Sequence, residues 1–132
     1  MLERTADQEK VFRDFVQNWL SLLSQNQLDR AVNLLDEPNH YGHWWTVEDL
    51  RKILQQPVSD KGLSILKIFN FTPGKKERIQ LFEMDEKRGY ILEYATPLVM
   101  PRSSRWHELA LRFEFLDKAG GYKVVLDDIR VI

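Results

Sequence analysis

The sequence predicts an α+β fold, with three helices followed by an antiparallel sheet. Three observations predict it. Apolar residues recur at helical spacing up to residue 54 and alternate from about residue 63 onward. The last segment is a hairpin: residues 109–115 alternate apolar and polar, Asp117-Lys118-Ala119-Gly120-Gly121 turns the chain, and residues 122–132 form the return strand. Helices segregated ahead of strands cannot supply parallel crossovers, so the sheet is expected to be a curved, mostly antiparallel meander of about five strands. Residues 1–132 are expected to form one domain.

The first helix carries Val11, Phe12, Phe15, Val16, Trp19, Leu20 and Leu23 on one wide apolar stripe, with Glu9, Arg13, Asp14, Gln17 and Asn18 opposite. Thr5 and Gln8 have capping-box spacing, and Ser24-Gln25-Asn26 ends the helix. As the most apolar helix, it is expected to lie across the concave side of the sheet. A shorter helix is expected over about 27–36, with Leu28, Ala31, Val32 and Leu35 inward and Pro38 blocking continuation. Residues 39–45 are too aromatic for an ordinary linker. Thr46 is a good N-cap for a third helix, Glu48 and Asp49 suit the positive end of its dipole, and Pro57 closes it. Strands are expected over 63–71, 77–84 and 90–99, separated by turns at 73–75 and 85–89. Pro97 and Pro101 place a strand end or a sheet edge there, and the final hairpin starts near Arg105.

Composition narrows the function classes. The net charge of -1 argues against broad electrostatic binding of nucleic acid or an anionic membrane. The chain has no cysteine, which removes disulfides, thiol nucleophiles and thiolate metal sites and fits a reducing compartment. The first residues lack the apolar core of a signal peptide, and no run approaches the roughly 20 apolar residues of a membrane span. A soluble, cytoplasmic protein with no cofactor is expected.

The order helix, helix, aromatic connection, helix, hairpins resembles the nuclear-transport-factor-2-like superfamily. The matching pieces are the stripe from Val11 to Leu23, the entry Trp44-Trp45-Thr46-Val47-Glu48-Asp49-Leu50, and the final hairpin. The resemblance implies a cystatin-like cone in which a curled sheet leaves a pocket at the open end. Ketosteroid isomerase and polyketide-cyclase relatives share that fold, as do accessory subunits and bacterial immunity proteins that neutralise a toxin. The chain is also similar to short bacterial proteins of unassigned function that end in a Gly-Gly-Tyr turn and an acidic Leu-Asp-Asp-Ile strand.

Several residues are candidates for chemistry. Asp127 and Asp128 interrupt the last strand: apolar positions fall at 124 and 126, then at 129 and 131, a one-residue slip that marks a β-bulge. Either the slip aims an acid at a cavity as a general base, or the acids face solvent or pair with Arg112 or Arg130. His40 and His43 lie in a loop broken by Pro38 and Gly42, with no third ligand specified, so no metal is expected. Two adjacent tryptophans are hard to bury together. One of Trp44 and Trp45 is expected to staple the third helix, and the other, with Tyr41, to line a pocket mouth or anchor a partner. Arg102, Arg105 and Trp106 could grip a carboxylate or phosphate, or form a solvated loop. No phosphate loop, nucleophile elbow or acidic metal cluster is present in the sequence.

These observations favour a non-catalytic binding protein. The resemblance makes a bacterial immunity protein with a toxin partner the leading version, with Tyr41, Trp44, Trp45, Arg105 and Trp106 at the interface. The alternative is an isomerase, cyclase or hydratase acting through Asp127 or Asp128 in the cone. A homodimer paired through sheet faces is the third expectation.

Overall fold

The apolar stripe of the first helix becomes α1 (Gln8–Ser24) in the computed structural model, which describes residues 1–56, 71, 77–98 and 107–132. Its cap differs from the sequence expectation. Asp7, not Thr5, takes the N-cap position, and its carboxylate accepts the Lys10 N–H at 3.1 Å. An ionised acceptor at the positive helix end is the stronger cap. α2 (Leu28–Asn33) stops three residues short of the predicted end, and α3 (Val47–Leu54) begins where expected. The α3 capping box is reciprocal. Thr46 Oγ1 accepts the Asp49 N–H at 3.1 Å, and Asp49 Oδ2 accepts the Thr46 N–H at 2.9 Å.

Among the described residues, four antiparallel strands follow in simple order: β1 (Arg78–Glu83), β2 (Gly89–Leu98), β3 (His107–Lys118) and β4 (Gly121–Val131). The sheet is curved and does not close. The predicted strand at 63–71 lies outside the described residues except for Phe71, which is buried. Pro97 sits inside β2, paired with Glu108 of β3. β1 reaches only as far as Ala95, so among the described residues Pro97 has a neighbour on one side only, where its missing N–H breaks no ladder.

Strand alternation divides the sheet into two faces. Leu92, Tyr94, Leu111, Phe113, Phe115, Val124 and Leu126 turn toward α1 and are buried. Phe12 is fully buried there, stacked on Phe115 at 4.2 Å between ring centres and edge-on to Tyr122 at 5.0 Å. Trp19 meets Phe113 edge-on at 5.3 Å, and its indole N–H donates to the Ala31 carbonyl at 2.8 Å. That bond ties α1 to α2 and satisfies a polar group that would be costly to bury alone. The other face carries Glu93, Ala110, Arg112, Glu114, Asp128 and Arg130.

The free edge of β4 is covered three times. Leu2 exchanges two backbone hydrogen bonds with Tyr122, both at 2.8 Å. Asp36 donates its N–H to the Val124 carbonyl and accepts the Val124 N–H on its carboxylate, both at 2.8 Å. The Trp45 indole N–H donates to the Leu126 carbonyl at 2.6 Å. Covering an edge in this way blocks intermolecular strand pairing. It also fastens residues 36–45 along the strand that carries the bulge.

Candidate functional site

The slip in the last strand is a bulge. Phe113 opposes Leu126 and Arg112 opposes Asp128, which leaves Asp127 as the unpaired residue. The bulge turns the Asp127 carboxylate to the face away from α1, where Arg112 lies. Asp127 is only 8% exposed. His40 Nδ1 contacts Asp127 Oδ1 directly, and Arg112 Nε lies 3.5 Å from Oδ2. Arg112 Nε is buried without a hydrogen bond, so that contact is ionic only; the guanidinium Nη1 donates to Glu93 at 3.3 Å. Asp128 is half-exposed and lies 3.8 Å from Arg130. Pairing with Arg112 and Arg130 therefore holds for both aspartates, although Asp127 is buried rather than solvent-facing.

The aromatic connection is organised by Asn39. Its carboxamide oxygen accepts the N–H groups of Tyr41 and His43, each at 3.0 Å. Its backbone N–H donates to the His43 carbonyl, and its carbonyl accepts the Gly42 N–H at 2.8 Å. Gly42 has φ +79°, which an L side chain adopts only at a cost. The turn leaves Tyr41 83% exposed, with its ring centre 3.9 Å from that of His40. His43 Nε2 meets Asp49 Oδ2 at 2.7 Å. Burial raises the Asp49 carboxyl, but hydrogen bonds from Thr46 and His43 outweigh it and hold its pKa below the ordinary carboxylate value.

His40, Tyr41, Glu93, Arg112, Asp127, Asp128 and Arg130 line a half-open depression of about 390 Å³. Glu114 is the next outer-face residue on β3 after Arg112. Burial, and then the Asp127 charge, push its pKa up, against the weaker pull of Arg112, His40 and Arg88.

The sequence candidates are thus partly assembled. Tyr41, Asp127 and Asp128 meet at the depression. Trp44 is exposed in the same connection, whereas Trp45 packs on the core and holds the β4 edge. Arg102, Arg105 and Trp106 lie outside the described residues. Glu93 and Arg112 complete the lining, with Glu114 next along the same face of β3, and strand parity was the available signal for them. A second polar group sits on the α1 side. Gln17 donates to Tyr94 Oη at 3.3 Å and to Glu77 at 3.4 Å, and burial first, then Glu77, pushes the Tyr94 phenol well up.

Among the described residues no group of three His, Asp or Glu side chains could hold a metal ion, and no helix is long and apolar enough to cross a membrane. No protein-family model matches the chain, and neither a curated protein nor a solved structure matches it.

Proposed function

We propose that the protein is a non-catalytic binding module whose partner docks on the outer sheet face beside residues 39–45. One observation carries this reading: the built depression and the exposed ring of Tyr41 adjoin each other on the face that the helices do not cover. Trp44, exposed a few residues on, adds a second large aromatic. Tyr and Trp are the residues most often found at interface hot spots. The enzymatic alternative needs an aspartate facing the space between sheet and helices. Both aspartates turn the other way, and Phe12, Trp19, Phe113 and Phe115 fill that space.

The nuclear-transport-factor-2-like kinship, a cytoplasmic setting and a toxin as the partner belong to the same proposal. The supports for the last are the sequence resemblance to a superfamily that includes immunity proteins and the exposed aromatic rings of Tyr41 and Trp44. The test is a photo-crosslinking residue placed at Tyr41, at Trp44 or at Asn18 on α1, in cells of the source organism. A discrete adduct with one other protein from positions 41 and 44, absent from position 18, supports the reading. Co-expression with the captured protein then reads toxin neutralisation as rescue of growth. An adduct of twice the chain mass replaces the partner by a second copy. Equal labelling from all three positions overturns the proposal.

A further inference from the structure

The two histidines of the aromatic connection each face a carboxylate from a different element. His40 Nδ1 contacts Asp127 of β4, and His43 Nε2 meets Asp49 of α3 at 2.7 Å. They flank Tyr41 and Gly42 in the turn that Asn39 organises, so both contacts act on one small unit. Among the described residues, His40 supplies the one hydrogen bond to the buried Asp127 carboxylate; Arg112 Nε approaches it at 3.5 Å without making one. A buried carboxylate so thinly satisfied gains from a full charge on His40. Glu114 on β3 adds negative charge near His40, and Arg112 on the same strand opposes it. Asp128 and Arg130 in the depression face each other. His43 has the Trp45 ring edge-on at 5.5 Å between ring centres. The acids just before the turn pair elsewhere, Asp36 with the terminal ammonium of Met1 and Glu37 with Lys123. Both histidines are half-exposed, so protons reach them without any opening of the fold.

We infer that residues 39–45 form a proton-operated clasp, in which two charged imidazoles pin the turn to β4 and α3 and hold Tyr41 on its docking face. As the protons leave, the ion pairs become neutral hydrogen bonds and the turn opens more often. Histidine changes charge between about pH 5 and 8, so the clasp tightens on mild acidification. The sign follows from linkage. The closed turn favours the charged imidazoles, so their added stability is present at the acid end of that range and is lost as pH rises. Tyr41 acts in the same sense, because its ring centre lies 3.9 Å from that of His40 and an imidazolium is drawn to an aromatic face. This inference names the regulation of the docking face proposed above and rests on that reading for its consequence.

The test is amide hydrogen exchange of the full chain, read by ¹⁵N–¹H spectra from about pH 5.5 to pH 8 and corrected for intrinsic exchange. The reporters are the amides of Asn39, Tyr41, Gly42 and His43, whose N–H groups all bond within the turn. With two half-exposed ion pairs at stake, protection is expected to be about fivefold higher at the acid end. Its midpoint is expected to follow the ring-proton titrations of His40 and His43. His40→Gln and His43→Gln keep a donor and lose the charge; each is expected to remove part of the pH dependence, and the double variant all of it. Equal protection at both ends, higher protection at pH 8, a midpoint that follows neither histidine, or a pH dependence that survives in the double variant overturns the inference. If protection changes with pH while the Tyr41 crosslink never forms, the clasp stands and the docking face falls. If the crosslink forms and protection is flat, the docking face stands and the clasp falls.

Discussion

At the scale of single residues, the two aspartates of the bulge behave differently although they are adjacent. Asp127 is buried and holds two partners from separate elements; Asp128 is half-exposed with one partner at 3.8 Å. Asp127→Ala leaves Arg112 without its buried counter-charge and releases His40, so it is expected to lower unfolding free energy by about 1–3 kcal/mol in urea titrations. Asp128→Ala is expected to change it by less than about 0.5 kcal/mol. Glu114 makes a sharper prediction. Its folded-state pKa is raised above the unfolded value, so the folded state binds its proton more tightly and ionisation at neutral pH costs stability. Glu114→Gln is therefore expected to stabilise the protein at pH 7, with the gain fading as pH falls through the raised folded value and gone below the ordinary value of 4.5. Denaturant titrations at pH 7 and pH 3.5 read it.

At the scale of elements, α3 is held by its cap and the final hairpin by its glycines. Thr46→Ala removes the side-chain acceptor of the capping box and is expected to cost about 1 kcal/mol. Asp49 titrates in the opposite sense to Glu114. Its folded pKa is depressed, so its contribution is present above its unfolded pKa and is lost as pH falls through the folded value. In Asp49→Asn that part of the acid-side loss of stability is expected to disappear, as followed by acid titration of helical circular dichroism. Gly121 has φ +150°, and a Cβ there would lie 2.1 Å from the Leu2 carbonyl oxygen. Gly121→Ala must move the backbone that covers the β4 edge, and a loss of more than about 2 kcal/mol is expected in thermal unfolding.

Much of this was legible in local patterns. The α3 cap is a four-residue spacing, the hairpin is a glycine turn between alternating strands, and the bulge is a visible phase slip at Asp127-Asp128. The slip did not reveal which face the extra residue takes, because that depends on partners 15 and 87 positions away, Arg112 and His40. The cover of β4 by Asp36 and Trp45 was hidden for the same reason. Its hydrogen bonds span 88 and 81 residues and involve backbone groups that carry no sequence signal. At α1, the Thr5–Gln8 pattern competed with Asp7, and the stronger acceptor took the cap.

At the scale of the whole molecule, the helices cover one sheet face and residues 36–45 cover the β4 edge. The surface they leave carries the depression. The proposed partner sits against Tyr41 and Trp44, and Asp127 holds His40 beside the Tyr41 ring. The most direct test is the affinity of the crosslinked partner, once purified, for the wild-type chain and for Tyr41→Ala, Trp44→Ala and Asn18→Ala. The account predicts a loss of about 30-fold or more for at least one of the two aromatic variants. It also predicts unchanged unfolding free energy for both and no loss of affinity for Asn18→Ala. Unchanged affinity in both aromatic variants would contradict it.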